Sequence, residues 1–134
     1  MDADTLERRA AEVCGFDPLD VLQARRARKV AEAAPLRALR DVWDAKRKAQ
    51  RGLETARIAA EYEAAGKRLP AADTLEMLAS GSASYRDFIT QAETAFIRLA
   101  ILEDEIAGIN DTILRQRDLL RMHAAEAHLE PAGV

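Results

Sequence analysis

The side chains able to do chemistry in this chain are few, and most sit at the wrong spacing for it. His123 and His128, with Glu126 between them, are the one metal-like grouping. The two imidazoles are five positions apart, whereas two ligands stack on one helical face at i and i+4, so a solvated helix end is the expectation there. Ala65-Gly66-Lys67 has the form of the end of a phosphate-binding loop. Glu61 stands where that loop needs its first glycine, however, and Arg68 where it needs Ser or Thr. Cys14 is the single thiol, and no neighbour supplies the base that a nucleophile requires, so it reads as a small buried apolar residue. Glu103-Asp104-Glu105 groups three carboxylates, but consecutive helical positions point apart, and acid–base work needs two held in contrasting environments. No catalytic residue, metal ligand, cofactor or small-molecule substrate is therefore assigned, and the chain reads as non-enzymatic.

Binding chemistry is better represented. Between Val21 and Arg51 the chain carries ten Lys or Arg against three acids, a local balance of +7, while the other residues carry ten basic and twenty acidic groups, a balance of −10. Phosphate binding needs several cations on one surface, each releasing condensed counterions, and it needs no base contact. Arg40, Lys46, Arg47, Lys48, Arg51 and Arg57 lie along one helical stretch, after Arg25, Arg26, Arg28 and Lys29. Trp43 and Tyr62 are aromatic surfaces on which unpaired bases could stack, although Trp43 also falls on the inward stripe of its helix and suits a core. Two other readings stand beside this one. The tract is a solvated face, or it meets the acids Glu103, Asp104, Glu105 and Asp111 of an opposing helix or neighbouring subunit.

The elements that must position these residues are helical throughout. The chain is Ala-rich, 4% aromatic and 32% charged, which favours helix over sheet, and 134 residues suffice for one domain with a modest core. From Ser84 to about Met122 the residues Phe88, Ala92, Ala95, Leu99, Leu102, Ile106, Ile109, Ile113 and Leu120 are spaced by fours and threes, with only Gln116 polar in that register. Such a stripe demands a partner helix, supplied by another segment of the chain, by another copy, or by both. Asp4-Thr5-Leu6-Glu7 reads as a capping box that starts a short helix with Leu6, Ala10 and Val13 inward, and Asp17-Pro18 restarts the chain. Pro35 predicts a break or kink at Ala34. Beyond it a long basic helix has Leu36, Leu39, Val42, Trp43, Ala45, Ala49, Leu53, Ala56, Ala60 and Ala64 on its expected inner side, and Gly66 with Pro70 ends it. Asp73-Thr74-Leu75-Glu76 caps a short connecting helix, and Ser84 with Asp87 caps the last one. The expectation is a single all-α domain, a long antiparallel coiled-coil-like hairpin that self-associates. Its parts are N-terminal helices over 3–33, a basic helix over 36–65, a connecting helix over 72–79, a long helix over 84–123 and a frayed tail over 124–134.

Taken whole, this layout resembles the UvsY-type recombination mediators, a family of small phage recombination accessory proteins. The resemblance rests on a short N-terminal segment, on the basic helix running into Ala56-Arg57-Ile58-Ala59-Ala60-Glu61-Tyr62-Glu63-Ala64-Ala65-Gly66-Lys67-Arg68, and on a Tyr85-led helix ending in Arg115-Gln116-Arg117-Asp118-Leu119-Leu120-Arg121. It implies an oligomeric protein that binds single-stranded DNA without sequence preference and helps a recombinase displace a single-strand-binding protein. It also implies Lys46, Arg47, Lys48, Arg51, Arg57, Lys67 and Arg68 as DNA contacts, with Tyr62 stacking. The net charge of −3 and the acidic last helix depart from a DNA-wrapping surface. The alternative expectation is a helical protein-binding factor, either a virion assembly or scaffolding protein or an inhibitor whose acidic helix occupies a host nuclease surface evolved for phosphate. With one cysteine, no apolar run of spanning length and no signal-peptide pattern, a cytoplasmic setting is the expectation.

Overall fold

The computed structural model describes Thr5, Arg8, Arg9, Glu12, Gly15 and residues 17–129. Four α-helices are defined there: α1 over Leu19–Asp41, α2 over Trp43–Ala64, α3 over Ala72–Gly81 and α4 over Ala83–Leu129. Among the described residues there is no strand, as the composition predicts. Leu6, Ala10, Val13 and Cys14 of the expected first helix lie outside the described residues. So does the tail from Glu130 onward. Contacts divide the chain into two compact units, one made of residues up to 33 and from 101 on, the other of residues 34–100, so α1 and α4 each contribute to both.

In the first unit α1 and α4 pair antiparallel. Gln116 donates its side-chain N–H to the Asp17 carbonyl, Arg26 meets Asn110 and Lys29 meets Glu105, so the number on one helix falls as the other rises. Leu22 packs with Ile109 and Ile113, and Leu19 closes on them. Leu102 is fully buried and Ile106 nearly so. At about 1.5–3 kcal/mol for each fully buried aliphatic side chain, this stripe is the main support of the pair. Gln116, the one polar residue in the register, is also buried at 1% exposure, with its Oε1 lacking a hydrogen-bond partner among the described residues.

In the second unit the start of α4 pairs with α2, and α3 closes against α2. Trp43 stacks on Phe88 with centroids 5.3 Å apart and meets Phe96 edge-on at 5.4 Å. Ile58, Leu75 and Ala79 form a second cluster, with Ala59 and Tyr62 against it. Ala92 and Leu99 are buried on the same α4 stripe. The residues expected to demand a partner helix on α4 thus find one within the chain.

Several local expectations are corrected. Helix α1 runs through Pro35 to Asp41, and the interruption falls instead at Val42, whose φ of −107° and ψ of 9° lie in the sparsely allowed bridge region. A lost backbone bond at Pro35 is outweighed by helix propagating on both sides, because local propensity is a weak term beside packing. The inner side of α2 is also different. Ala45, Ala49, Ala56, Ala60 and Ala64 are exposed, as is Leu53 at 66%, while Trp43, Glu54, Ile58 and Tyr62 turn inward. Helix α2 carries two apolar stripes on nearly opposite faces, and the one with the bulkier side chains, which buries more area, is the one that packs.

The helix ends follow the same logic. At the end of α2 the Lys67 N–H reaches the Tyr62 carbonyl and the Gly66 N–H the Glu63 carbonyl, a Schellman closure that puts Gly66 at φ +67°. That is the stop expected from Gly66 and Pro70. Helix α3 starts after Ala71 with no side-chain cap, so Asp73 lies inside its first turn and favours the helix dipole. The cap of α4 is Ser82 rather than Ser84: its hydroxyl accepts the Tyr85 N–H at 3.2 Å. At the other end α4 continues to Leu129, past His123 where fraying was expected.

Candidate nucleic-acid interface

The basic tract splits into two parts with different surroundings. In α1 three of its cations are engaged within the chain, and one of them, Lys29, meets a carboxylate of the opposing helix as the charge-matching reading anticipates. Arg25 pairs with Asp17 at 2.8 Å, Lys29 pairs with Glu105, and Arg26 donates from Nε to the Asn110 side-chain oxygen at 2.7 Å. The last two hold α1 against α4, whereas the first ties α1 to the residues that precede it. Being partly exposed they contribute modestly to stability, on the order of 1 kcal/mol or less each.

In α2 the proposed contacts are more open. Lys46, Arg47 and Lys48 are exposed, Arg51 is half-buried, and Lys67 and Arg68 are exposed in the turn that follows. Arg47 reaches Asp44 at 3.5 Å. Arg51 lies beside Asp73 and Glu76 in a shallow groove against α3. Arg40 is exposed at the end of α1 and has an in-chain interaction of its own. At about 100° of rotation per residue, Lys46, Arg47 and Lys48 point in three directions, so these cations surround the helix and do not line one face.

Arg57 is committed elsewhere. It donates to Glu54 Oε2 from Nε at 3.1 Å and from Nη2 at 2.8 Å, and from Nη1 to Glu61 Oε1 at 2.6 Å. Glu54 is buried at 6% exposure and also receives the Ser82 hydroxyl at 3.1 Å. The hydrogen bond from Arg57 holds the Glu54 carboxyl below its ordinary value. Burial opposes that shift, and the Ser82 bond adds to it. Glu54 in turn raises Arg57, so the two form a charge-assisted pair on the inner flank of α2. Tyr62 is half-buried against Ile58, Leu75 and Ala79, and Trp43 is occupied by Phe88 and Phe96. Neither ring stands clear as a stacking platform.

The remaining chemical candidates resolve simply. Ala65-Gly66-Lys67 is the Schellman turn, and no group of metal-ligating side chains assembles among the described residues. His123 lies 3.8 Å from Glu126 on the exposed end of α4, and the His128 side chain is outside the described residues. Glu105 is the one member of its acidic trio placed on Lys29, while Asp104 is exposed. One constellation was not singled out from the sequence: Gln23 and Arg26 of α1 with Asn110 and Arg117 of α4, lining one groove. Their separation of more than eighty positions left no local signal, although Arg26 belongs to the basic tract. None of the described helices is long and apolar enough to cross a membrane.

No protein-family model, characterised relative or solved structure matches the chain. The resemblance to recombination mediators therefore rests on the order of helices and charges alone.

Proposed function

We propose that this is a non-enzymatic, self-associating helical protein that binds single-stranded nucleic acid through backbone phosphates. Its main contacts in this reading are Lys46, Lys48, Lys67 and Arg68, with Arg51 behind them. The observation that carries it is a contrast. Arg25 and Lys29 are neutralised by carboxylates of the same chain, whereas these four cations are exposed and, among the described residues, have no carboxylate partner. Arg40, Arg47 and Arg57, already engaged within the chain, contribute less. Cations distributed around a helix suit a flexible strand, which can follow them as a rigid duplex cannot. Loading a recombinase is the finer form of this proposal, tested by strand exchange in the presence of a single-strand-binding protein.

Titration of a labelled oligothymidylate at two salt concentrations is the test. Four phosphate contacts on a single strand give a log–log salt slope of about −3. Lys46→Glu/Lys48→Glu should bind more weakly and flatten that slope. Absence of binding at low salt would remove the proposal. A second reading, a protein-binding role, is favoured by the outward stripe of α2, where Leu53 is 66% and Val42 48% exposed among alanines. In that case Leu53→Asp abolishes partner binding and leaves the oligonucleotide titration at background.

A further inference from the structure

We infer that the groove between α1 and α4 lined by Gln23, Arg26, Asn110, Ile113, Leu114 and Arg117 is a binding site for a phosphate group. The inference starts from the partners that the α1 cations are given. Arg25 is given a carboxylate at Asp17 and Lys29 one at Glu105. Arg26, one residue on from Arg25, is instead given the neutral side-chain oxygen of Asn110. An amide oxygen orients a guanidinium through a directed bond but leaves its full positive charge uncompensated. The bond uses Nε–H, so the two terminal nitrogens of Arg26 keep their donors for another acceptor.

The second cation makes this more than a stray surface charge. Arg117 lines the same groove from α4, one turn beyond Ile113, and no partner holds it among the described residues. Among the described residues, no carboxylate lines the groove. Two like charges facing one recess repel unless an anion enters between them, and the planar donor edge of arginine matches a phosphate better than it matches a chloride ion. The Gln23 and Asn110 amides add neutral donors, and Ile113 and Leu114 complete the lining with apolar surface. By contrast, the neighbouring recess lined by Asp17, Arg25, Lys29 and Glu105 already contains an acid for each cation and offers an anion nothing.

This goes beyond the proposed function and does not depend on it, because free phosphate and a nucleic-acid backbone present the same oxygens. The test is nuclear magnetic resonance of the arginine Nε–Hε groups in the full chain, titrated with inorganic phosphate against chloride at equal ionic strength. Phosphate should move the Arg26 and Arg117 resonances together. Arg117→Gln should abolish the shift at Arg26, and Lys46→Glu/Lys48→Glu should leave it intact. Arg117 holds nothing in place, so helical circular dichroism of Arg117→Gln should match the parent. An oligothymidylate that moves the same resonances, with a salt slope reduced by about one in Arg117→Gln, identifies the nucleic-acid backbone as the source. If phosphate moves both resonances and the oligonucleotide moves neither, the groove stands as a small-phosphate site, separate from the contacts proposed along α2. Resonances that respond no more to phosphate than to chloride overturn the inference.

Discussion

The contact between Trp43 and Phe88 offers the sharpest test of how α2 and the start of α4 are held together. Trp43 is the only tryptophan, stacked on Phe88 at 5.3 Å with the planes 24° apart and edge-on to Phe96 at 5.4 Å. Stacked and edge-to-face pairs contribute about 0.5–1.5 kcal/mol beyond the area they bury. Replacing Phe88 by Leu keeps an apolar side chain of similar reach and removes the ring. The expected loss is therefore about 1–2 kcal/mol, most of it in ring geometry. Trp43→Leu removes both ring pairs and should lose about 2–4 kcal/mol, tempered by the half-buried position of the indole. A double-mutant cycle on the two substitutions, from urea unfolding followed by circular dichroism, should return a coupling of about 0.5–1.5 kcal/mol. In the parent protein, tryptophan emission should shift over the same urea range as helicity is lost from this unit. Additive single and double variants, or emission already typical of a solvated indole in the folded protein, would refute the stacking.

Other substitutions test the packing stripe and the buried carboxylate. Leu102→Ala removes a side chain with no exposure and should lower stability by about 2–5 kcal/mol, whereas Leu114→Ala, 57% exposed on the same helix, should stay within about 0.5 kcal/mol in the same urea titration. Glu54 should leave a mark on acid stability. Its folded value lies below the ordinary 4.5, so its contribution is fully present above that value and disappears as pH falls through the lower folded value. Urea midpoints measured across the acid range should fall less steeply in Glu54→Gln than in the parent, and parallel curves would exclude Glu54 as a source of that dependence.

The α4 stripe was legible because Leu99, Leu102, Ile106, Ile109 and Ile113 are large, regularly spaced and without a competing apolar face. The stop at Gly66 was equally plain, since a positive φ followed by a proline leaves few alternatives. Helix α2 was ambiguous for the opposite reason: alanines at 45, 49, 56 and 60 make a periodic stripe as regular as the one that packs, and spacing alone does not weigh their small area against Trp43 and Ile58. The caps were misplaced by one or two residues because Ser82 and Ser84 are chemically equivalent in the sequence, and only Ser82 is within reach of Glu54. As for the candidate interface, the cations could be named but their partners could not. Lys29 with Glu105, and Arg26 with Asn110, are long-range choices fixed by the antiparallel register of α1 on α4.

Lysine acetylation in the presence and absence of oligothymidylate tests the functional proposal most directly. The chain has four lysines, and Lys29, paired with Glu105 on the opposing helix, serves as an internal reference for the other three. Lys46, Lys48 and Lys67 should lose reactivity when the oligonucleotide is added, recover it at high salt, and do so while Lys29 stays constant. Unchanged reactivity at all four sites, or protection confined to Lys29, would contradict nucleic-acid binding along α2.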